Sequence, residues 1–460
     1  MSNLFDGLHI AKNTLKTQST VLNTIAHNVA NANTPGYSRQ TVLLTPVINN
    51  TIKGNSNLMI GAGVEATEIS RIRFGLYDQM YRKENQDLND FKRTEELMNQ
   101  VELLFDEPSD RGMNSIFNDF FNEWQEVANV PQNMAARQSL KSISIELTTR
   151  MNRIFSRLQI MQEDINAEIA TIPSDINLIA SQIADLNASI RLSESQGNSA
   201  NDLRDKRDQL VDELSEFASV RAIEQRDSTY TIIVGSQVVV EHENFYNLSA
   251  IKSVPDYMGT KTVIVGEDGT EFTPEHGKLG ALINFRDTIL SDVMDNLNVL
   301  AENLVKEINF AHRIGYGLDG ENERNFFDPA RTKAYNIKIS DDIDDVSNIA
   351  VSGDGAKGDN TNALSINTIK DLKVVDQEFT LSEYYSSMIT EIGIWAREAK
   401  SSRINEELLV SQVDNAREGI KGVSIDEELI QMIQTQRIYQ SASRIIVVLD
   451  SLLEDVIRMK

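Results

Sequence analysis

Five histidines, His9, His27, His242, His276 and His312, are the side chains of this sequence best suited to bind a metal or to move protons near neutral pH. A metal site on a helix needs two of them on one face, and no two stand at such a spacing. Scattered structural or surface histidines are the simpler reading. The segment Gly353-Asp354-Gly355-Ala356-Lys357-Gly358-Asp359-Asn360 has the acidity of a calcium loop but lacks the alternating ligands and the closing Glu, so it reads as a plain turn. Gly61-Ala62-Gly63 has no third glycine opening a helix, and neither a Gly-Lys-Ser/Thr sequence nor a Gly-x-Ser-x-Gly elbow occurs. The 69 carboxylates suit solvated helices, and nothing marks two of them as an acid–base pair. Cysteine is absent, which excludes disulfides, thiolate metal sites and cysteine nucleophiles. No catalytic residue, cofactor or metal is expected.

Composition narrows the partners. The net charge of −25 argues against nucleic acid and against an anionic membrane surface, since neither attracts a strongly acidic body. No run of some twenty apolar residues could span a bilayer, and residues 1–15 lack the apolar stretch of a cleaved signal peptide, so any secretion is expected to proceed without one. The 460 residues allow about three domains by the usual prior.

The elements follow from periodicity. A first helix over 3–30 should stop in the turn cluster Asn31-Ala32-Asn33-Thr34-Pro35-Gly36-Tyr37. Residues 40–48 and 57–72 read as extended chain or a short hairpin. Helix is expected from about Phe74 to Phe105, closing at Glu107-Pro108-Ser109-Asp110, and again where Ile116, Phe117, Phe120, Phe121, Trp124 and Val127 share one face. The longest periodic stretch, Leu147 to Ile190, is coiled-coil-like. As one helix over 134–195 it would rise on the order of 90 Å at ~1.5 Å per residue, with Pro173 positioned to kink or split it. After Gln196-Gly197-Asn198, a returning helix carries the stripe Leu203, Leu210, Leu214 and Phe217. Residues 218–276 read as one small inserted β domain. Helix returns over 279–314, a short strand is expected near Tyr335 to Ile339, and two long arms cover 381–418 and 424–458.

The two ends of the chain carry comparable narrow stripes: Leu4, Leu8, Ala11, Leu15, Leu22, Ile25 and Val29 at the start, and Ile425, Leu429, Met432, Tyr439, Ile446 and Leu453 at the finish. An ordinary intramolecular bundle would use them. However, an isolated pair leaves the flanks of both stripes wet, and Gln18, Gln436 and Ser443 weaken it further, which favours packing among many copies. The expected class is therefore mainly α with an inserted β domain, an α+β multidomain chain with long coiled-coil-like helices and paired terminal helices. The expected division is an inner assembly domain of 1–35 and 424–460, an elongated helical bundle of 36–217 and 277–423 with short hairpins, and a β domain of 218–276.

Gly7-Leu8, Ala11, Leu15 and Asn28-Val29-Ala30-Asn31-Ala32-Asn33-Thr34-Pro35-Gly36-Tyr37 resemble the N-terminal signature of the axial proteins of the bacterial flagellum. Met432-Ile433-Gln434-Thr435-Gln436-Arg437-Ile438-Tyr439 is similar to the C-terminal signature of the same group. The interior narrows the likeness. Tyr37-Ser38-Arg39-Gln40, Glu107 to Gly112, Phe120-Phe121, Ala135-Ala136-Arg137-Gln138, Asn201-Asp202-Leu203 and Arg207-Asp208-Gln209-Leu210 resemble the flagellar hook-associated protein 1 family. So do Leu279-Gly280-Ala281-Leu282, Phe285-Arg286-Asp287, Gly315 to Gly320, Gly358-Asp359-Asn360 and Asn362-Ala363-Leu364. The family-motif positions are thus Asn31, Thr34, Pro35, Gly36, Tyr37, Arg39, Gln40, Gln434 and Gln436.

This resemblance implies a structural adaptor, not an enzyme: a ring of about eleven copies at the hook–filament junction of the extracellular flagellum. The partners it implies are further copies of the chain, the hook protein and the third hook-associated protein. It also implies export by the flagellar type III apparatus and a cytoplasmic export chaperone on the C-terminal segment. The short 218–276 region implies that the extra outer domain of larger relatives is missing. The alternatives are another axial subunit, from the rod or hook, and a secreted enzyme using the β domain.

Overall fold

The computed structural model describes residues 2–47, 61–105, 112–253 and 259–458. Its elements, in order, are α1 (Ser2–Ala30), β1 (Gln40–Pro46), β2 (Val64–Arg71), α2 (Gly75–Phe105), α3 (Met113–Asn129), α4 (Met134–Ser195), α5 (Asn201–Phe217), β3 (Val220–Glu224), β4 (Tyr230–Val234), β5 (Gln237–Glu241), β6 (Asn244–Phe245), β7 (Ser249–Lys252), β8 (Thr262–Val265), β9 (Glu271–Phe272), α6 (Gly277–Asn284), α7 (Leu290–Ile314), α8 (Thr361–Thr368), α9 (Leu381–Lys421) and α10 (Ile425–Arg458). Long helices with small antiparallel sheets make this the mainly α, α+β class. Two compact units divide the chain: Met1–Gln86 with Ser174–Leu248 and Glu406–Lys460, and Asp87–Pro173 with Ser249–Asn405.

In the first unit α1 and α10 run antiparallel. Asn28 meets Glu428 near one end, and a Cβ on Gly7 would lie 3.3 Å from Leu449 Cδ1 near the other. α1 ends where expected: Asn31 N–H returns to the His27 carbonyl at 3.1 Å and Thr34 N–H to the Asn31 carbonyl at 2.9 Å. Gly36 then takes φ +77°, which side chains with a Cβ rarely adopt. β1 and β2 pair antiparallel over 40–46 and 64–71, and Thr17 Oγ1 donates to the Val64 carbonyl, fixing the ribbon along α1. Four strands form a meander in the order β3-β4-β5-β6. Its β4–β5 turn places Gly235 at φ +57°, the demand of a two-residue hairpin loop.

In the second unit α3 turns Ile116, Phe117, Phe120, Phe121, Trp124 and Val127 into the core, as their spacing requires. Phe120, Trp124, His312, Phe326 and Phe327 form one aromatic cluster with ring centroids 5.1 to 6.5 Å apart. Leu147, Met151, Ile154, Leu158, Met161, Ile165, Ile169 and Ile172 of α4 are all buried, and the helix continues through Pro173 without a break.

Four readings need correction. Residues 218–276 form two sheets, β3–β6 and β7-β8-β9, which fall in different units. The physical reason is that each is anchored to a different stretch of α4: Asn187 and Asn177 hold the first unit's strands and the chain leaving them, and Asn166 holds β8. The expected stripe of α5 is only part of its covered face: Leu214 is buried, while Leu203, Leu210 and Phe217 are half-buried. Asp205, Arg207, Asp208, Val211 and Ser215 are buried beside Leu214, because cations of β2 and α2 face this helix. No strand forms at Tyr335 to Ile339, where a single bridge joins Phe327 to Ile339. The 279–314 helix is interrupted by a π-helical turn, Phe285–Ile289, from which buried Arg286 reaches the Thr262 carbonyl at 2.6 Å. The closing turn expected at 107–110 lies outside the described residues.

Candidate functional site

Nothing among the described residues groups three or more His, Asp or Glu side chains in a way that could hold a metal ion. No helix among the described residues is long and apolar enough to cross a membrane. What the first unit presents instead is a two-helix seam and a buckle that ties it to the chain beside it.

The seam differs from the expected stripe by a rotation of α10. Ile25 is buried, and Leu8, Leu15, Leu22 and Val29 are half-buried along α1, while the Leu4 side chain lies outside the described residues. On α10, Met432, Ile446 and Leu453 are half-buried, but Ile425, Leu429 and Tyr439 are exposed. The most covered positions are Glu428, Thr435 and Ala442, at 1%, 6% and 4% exposure, with Leu449 one heptad further and half-buried. Gln436 and Ser443, expected to dilute the seam, are exposed one residue away, whereas Gln18 on α1 is buried. Met432, Ile446 and Leu453 of the expected stripe thus lie on the covered side beside Glu428, Thr435 and Ala442, whereas Ile425, Leu429 and Tyr439 fall outside it.

The displaced face matters more. Ile430, Ile433, Ile438, Ile445, Val448 and Leu452 of α10 are each 45% exposed or more, a run of large aliphatic side chains with no cover from α1. Such a surface on a single copy is a mark of interaction.

The buckle is built by the family-motif residues. Asn28 is buried, with its Nδ2 donating to the Gln40 carbonyl at 2.9 Å and to Glu428 Oε2 at 3.1 Å. Its Oδ1 accepts from Gln40 N–H at 3.0 Å and from the Tyr37 hydroxyl at 2.8 Å. Arg39 Nε donates to Glu428 Oε1 at 2.7 Å, and Arg39 Nη1 lies 3.1 Å from Glu427 Oε2. Asn31 Nδ2 donates to the His27 carbonyl and Thr34 Oγ1 to Asn31 Oδ1, so both close the turn itself. Pro35 is exposed, and a Cβ on Gly36 would come within 3.2 Å of Gln209 Oε1. Gln40 Nε2 reaches Asp202 at 2.7 Å, whereas Gln434 and Gln436 sit on the exposed side of α10. Burial raises the Tyr37 hydroxyl pKa, and Asp202, Asp205 and Glu428 add to it, so this group stays a neutral donor.

Beneath the buckle, charges are buried together. Ser38 donates its N–H and its hydroxyl to Asp205 at 2.8 and 2.7 Å. Arg71 lies 2.6 Å from Asp205 and 2.9 Å from Asp208, Arg73 lies 2.8 Å from Asp78 and from Asp208, and Arg82 lies 2.7 Å from Asp212. Arg417 of α9 closes the group on Asp78 at 2.8 Å and on Asp212. Sequence reasoning missed Glu428, Asp205 and Asp212, because in an acidic chain nothing distinguishes a buried carboxylate from a solvated one. The only available signal was that Asp205, Asp208 and Asp212 recur at steps of three and four on α5.

Comparison with known proteins agrees with both ends and the middle. The family model described as the flagellar hook-associated protein FlgK helical domain matches residues 98–327. Those described as flagella basal body rod protein and as flagellar basal body rod FlgEFG protein C-terminal match 8–37 and 420–459. The chain is 30% identical to flagellar hook-associated protein 1 of Bacillus subtilis over 99% of this chain and 98% of that one. Against flagellar hook-associated protein 1 of Escherichia coli it is 23% identical, covering 100% of this chain and 99% of that one. The solved structure of the flagellar hook junction protein from Burkholderia pseudomallei matches with a TM-score of 0.68 at 15% identity, over 75% of this chain and 100% of that one, a likeness of fold.

Proposed function

This chain belongs to the flagellar hook-associated protein 1 family, a family of structural proteins and not enzymes, and on that premise we propose that it is an adaptor subunit of the hook–filament junction whose α1–α10 pair is completed by neighbouring copies. The observation that carries this reading is the aliphatic face of α10, with Ile430, Ile433, Ile438, Ile445, Val448 and Leu452 exposed on a helix whose other side is already covered. In a ring of about eleven copies, each such face would be buried against the next terminal pair. The hook protein on one side and the third hook-associated protein on the other are the partners this position requires.

Export by the flagellar type III apparatus, with a cytoplasmic chaperone on the C-terminal segment, belongs to the same proposal. A chain without cysteine passes such a route with no disulfide to break or reform. The rod or hook alternative is less favoured, because the interior match at 98–327 is to the hook-associated helical domain.

The test is removal of residues 425–460. The truncated protein is expected to fold in its second unit and to fail to restore filament growth in a strain lacking the full-length protein. Normal filaments from that strain would overturn the proposal.

A further inference from the structure

We infer that Glu428 sets the register of α10 on α1, selecting one alignment among those that the seven-residue repeat of the seam would otherwise make nearly equivalent. The inference rests on reading the α1–α10 pair as the assembly domain and assigns the residue that positions it.

The covered ridge of α10 is Glu428, Thr435, Ala442 and Leu449, spaced seven apart. A ridge with that period buries again after sliding one heptad, roughly 10 Å at ~1.5 Å per residue. Thr435 and Ala442 are small, so packing separates the two alignments weakly. A carboxylate does not. Glu428 is 1% exposed, and each of its oxygens has a donor: Asn28 Nδ2 at 3.1 Å on Oε2 and Arg39 Nε at 2.7 Å on Oε1. Sliding α10 by one heptad would bring Thr435 to this place. Its hydroxyl offers no charge to Arg39, and Glu428 would leave both donors behind.

Breaking a buried, hydrogen-bonded charge pair is costly, and single polar positions on apolar helical seams are known to fix register. Arg39 and Asn28 are held rigidly enough to act as the reference. Arg39 N–H donates to the Lys421 carbonyl at 2.8 Å, Ile72 N–H donates to the Arg39 carbonyl at 2.8 Å, and Asn28 clamps both backbone groups of Gln40. The register of the last helix is thereby referred to the turn that follows the first. The aliphatic face of α10 then comes to a defined height for the next copy.

Because the chain has no cysteine, introduced pairs report register without background. Gly7→Cys with Leu449→Cys is the in-register pair, given the 3.3 Å approach of a Gly7 Cβ to Leu449. Thr14→Cys with Leu449→Cys is the pair aligned after a one-heptad slide. In the full-length free protein the first pair should oxidise in preference to the second. Glu428→Ala should shift the ratio toward the second by about a hundredfold or more, the effect of losing one buried charge pair.

Moving the carboxylate, by Glu428→Thr with Thr435→Glu, should make the slid pair dominant. A residue that merely stabilised the helix would lower protection of α10 without selecting the slid alignment. An unchanged ratio in the moved-carboxylate variant, with helical content retained, would overturn the inference even if Glu428→Ala fails to fold. Since cross-linking is read on free protein, that result is independent of whether filaments grow, which tests the assembly reading separately.

Discussion

Asn187 grips both backbone groups of Tyr230: its Nδ2 donates to the Tyr230 carbonyl at 2.9 Å, and Tyr230 N–H donates to its Oδ1 at 3.0 Å. A carboxamide carries one donor edge and one acceptor edge, so a helix bearing it serves a strand as a neighbouring strand would. α4 repeats the device at Asn177, which exchanges both bonds with Leu248 at 2.8 Å, and at Asn166, which takes Thr262 N–H at 2.9 Å and donates to the Thr260 carbonyl at 3.2 Å. Asn187→Ala should destabilise the first unit by about 1–3 kcal/mol, because a part-buried carbonyl and N–H lose their partners. Asn187→Asp should also lose the bonds to the Tyr230 and His242 carbonyls, to which a carboxylate cannot donate, while keeping Arg207 Nη1 as a partner. Urea unfolding monitored by near-ultraviolet dichroism checks both, and equal stability of Asn187→Ala and wild type would refute the clamp.

Asp208 is surrounded by Arg71, Arg73 and Arg82 and also accepts the Tyr230 hydroxyl at 2.9 Å. Asp208→Ala leaves buried guanidinium groups without their anion and should cost about 3–5 kcal/mol. Burial pushes its carboxyl pKa up, but Arg73, Arg71 and Arg82 outweigh this and hold it well below the usual range. The unfolded chain therefore takes up the proton first as pH falls. The stabilising contribution is complete above the ordinary carboxylate pKa of about 4 and declines below it. Wild type should lose stability between pH 5 and 3 more steeply than Asp208→Asn, as urea midpoints at the two pH values would show.

The legible parts of the fold were those governed by apolar periodicity. The α3 face with Phe120 and Trp124, the α4 ridge from Leu147 to Ile172 and the stop at Pro35-Gly36 follow from spacing alone. Illegible were the places where polar groups are buried. α5 has four apolar residues in a plausible stripe, yet Asp205 and Asp208 are covered because the arginines that neutralise them lie more than 120 residues away in sequence. The same blindness displaced the seam. Ile425 and Leu429 outrank Glu428 on any hydropathy scale, but only Glu428 has Asn28 and Arg39 to receive it. The motif around Asn28 to Gln40 was recognisable as a pattern before its clamp on α10 could be inferred.

Asp90 offers the opposite sign of pH dependence. Burial lifts its carboxyl to about 6 against the pull of His276, and nearby Asp87 adds to the lift. The folded state therefore binds the proton more tightly than the unfolded chain, and stability falls as pH rises from about 4 through 6. Asp90→Asn keeps an acceptor for Thr94 and removes the charge. It should stabilise the protein by about 1–2 kcal/mol above pH 6.5 and by nothing measurable below pH 4. Thermal unfolding at pH 4 and pH 7.5 decides it, and a gain of equal size at both would show that charge is not the cause.

The two faces of α10 should respond to mutation in opposite ways. Ile438, Ile445 and Leu452 recur every seven residues and are 47%, 52% and 45% exposed in the single copy, so replacing them with serine removes little that folding has buried. Ile438→Ser, Ile445→Ser and Leu452→Ser together should change the free protein's unfolding by less than about 1 kcal/mol. In the junction, where neighbours would cover that face, each lost side chain should cost about 1.5–3 kcal/mol. Summed over three positions in every copy, that loss should abolish ring closure and filament growth while secretion of the soluble chain continues. Ile446→Ala, on the covered side, is the contrasting variant: it should loosen α10 in the free protein, detectable as faster hydrogen exchange across 425–458. Measuring motility, secreted protein and exchange for the two variants separates surface from seam. If the triple serine variant supports filaments of normal length, the aliphatic face is not what the neighbouring copies bury.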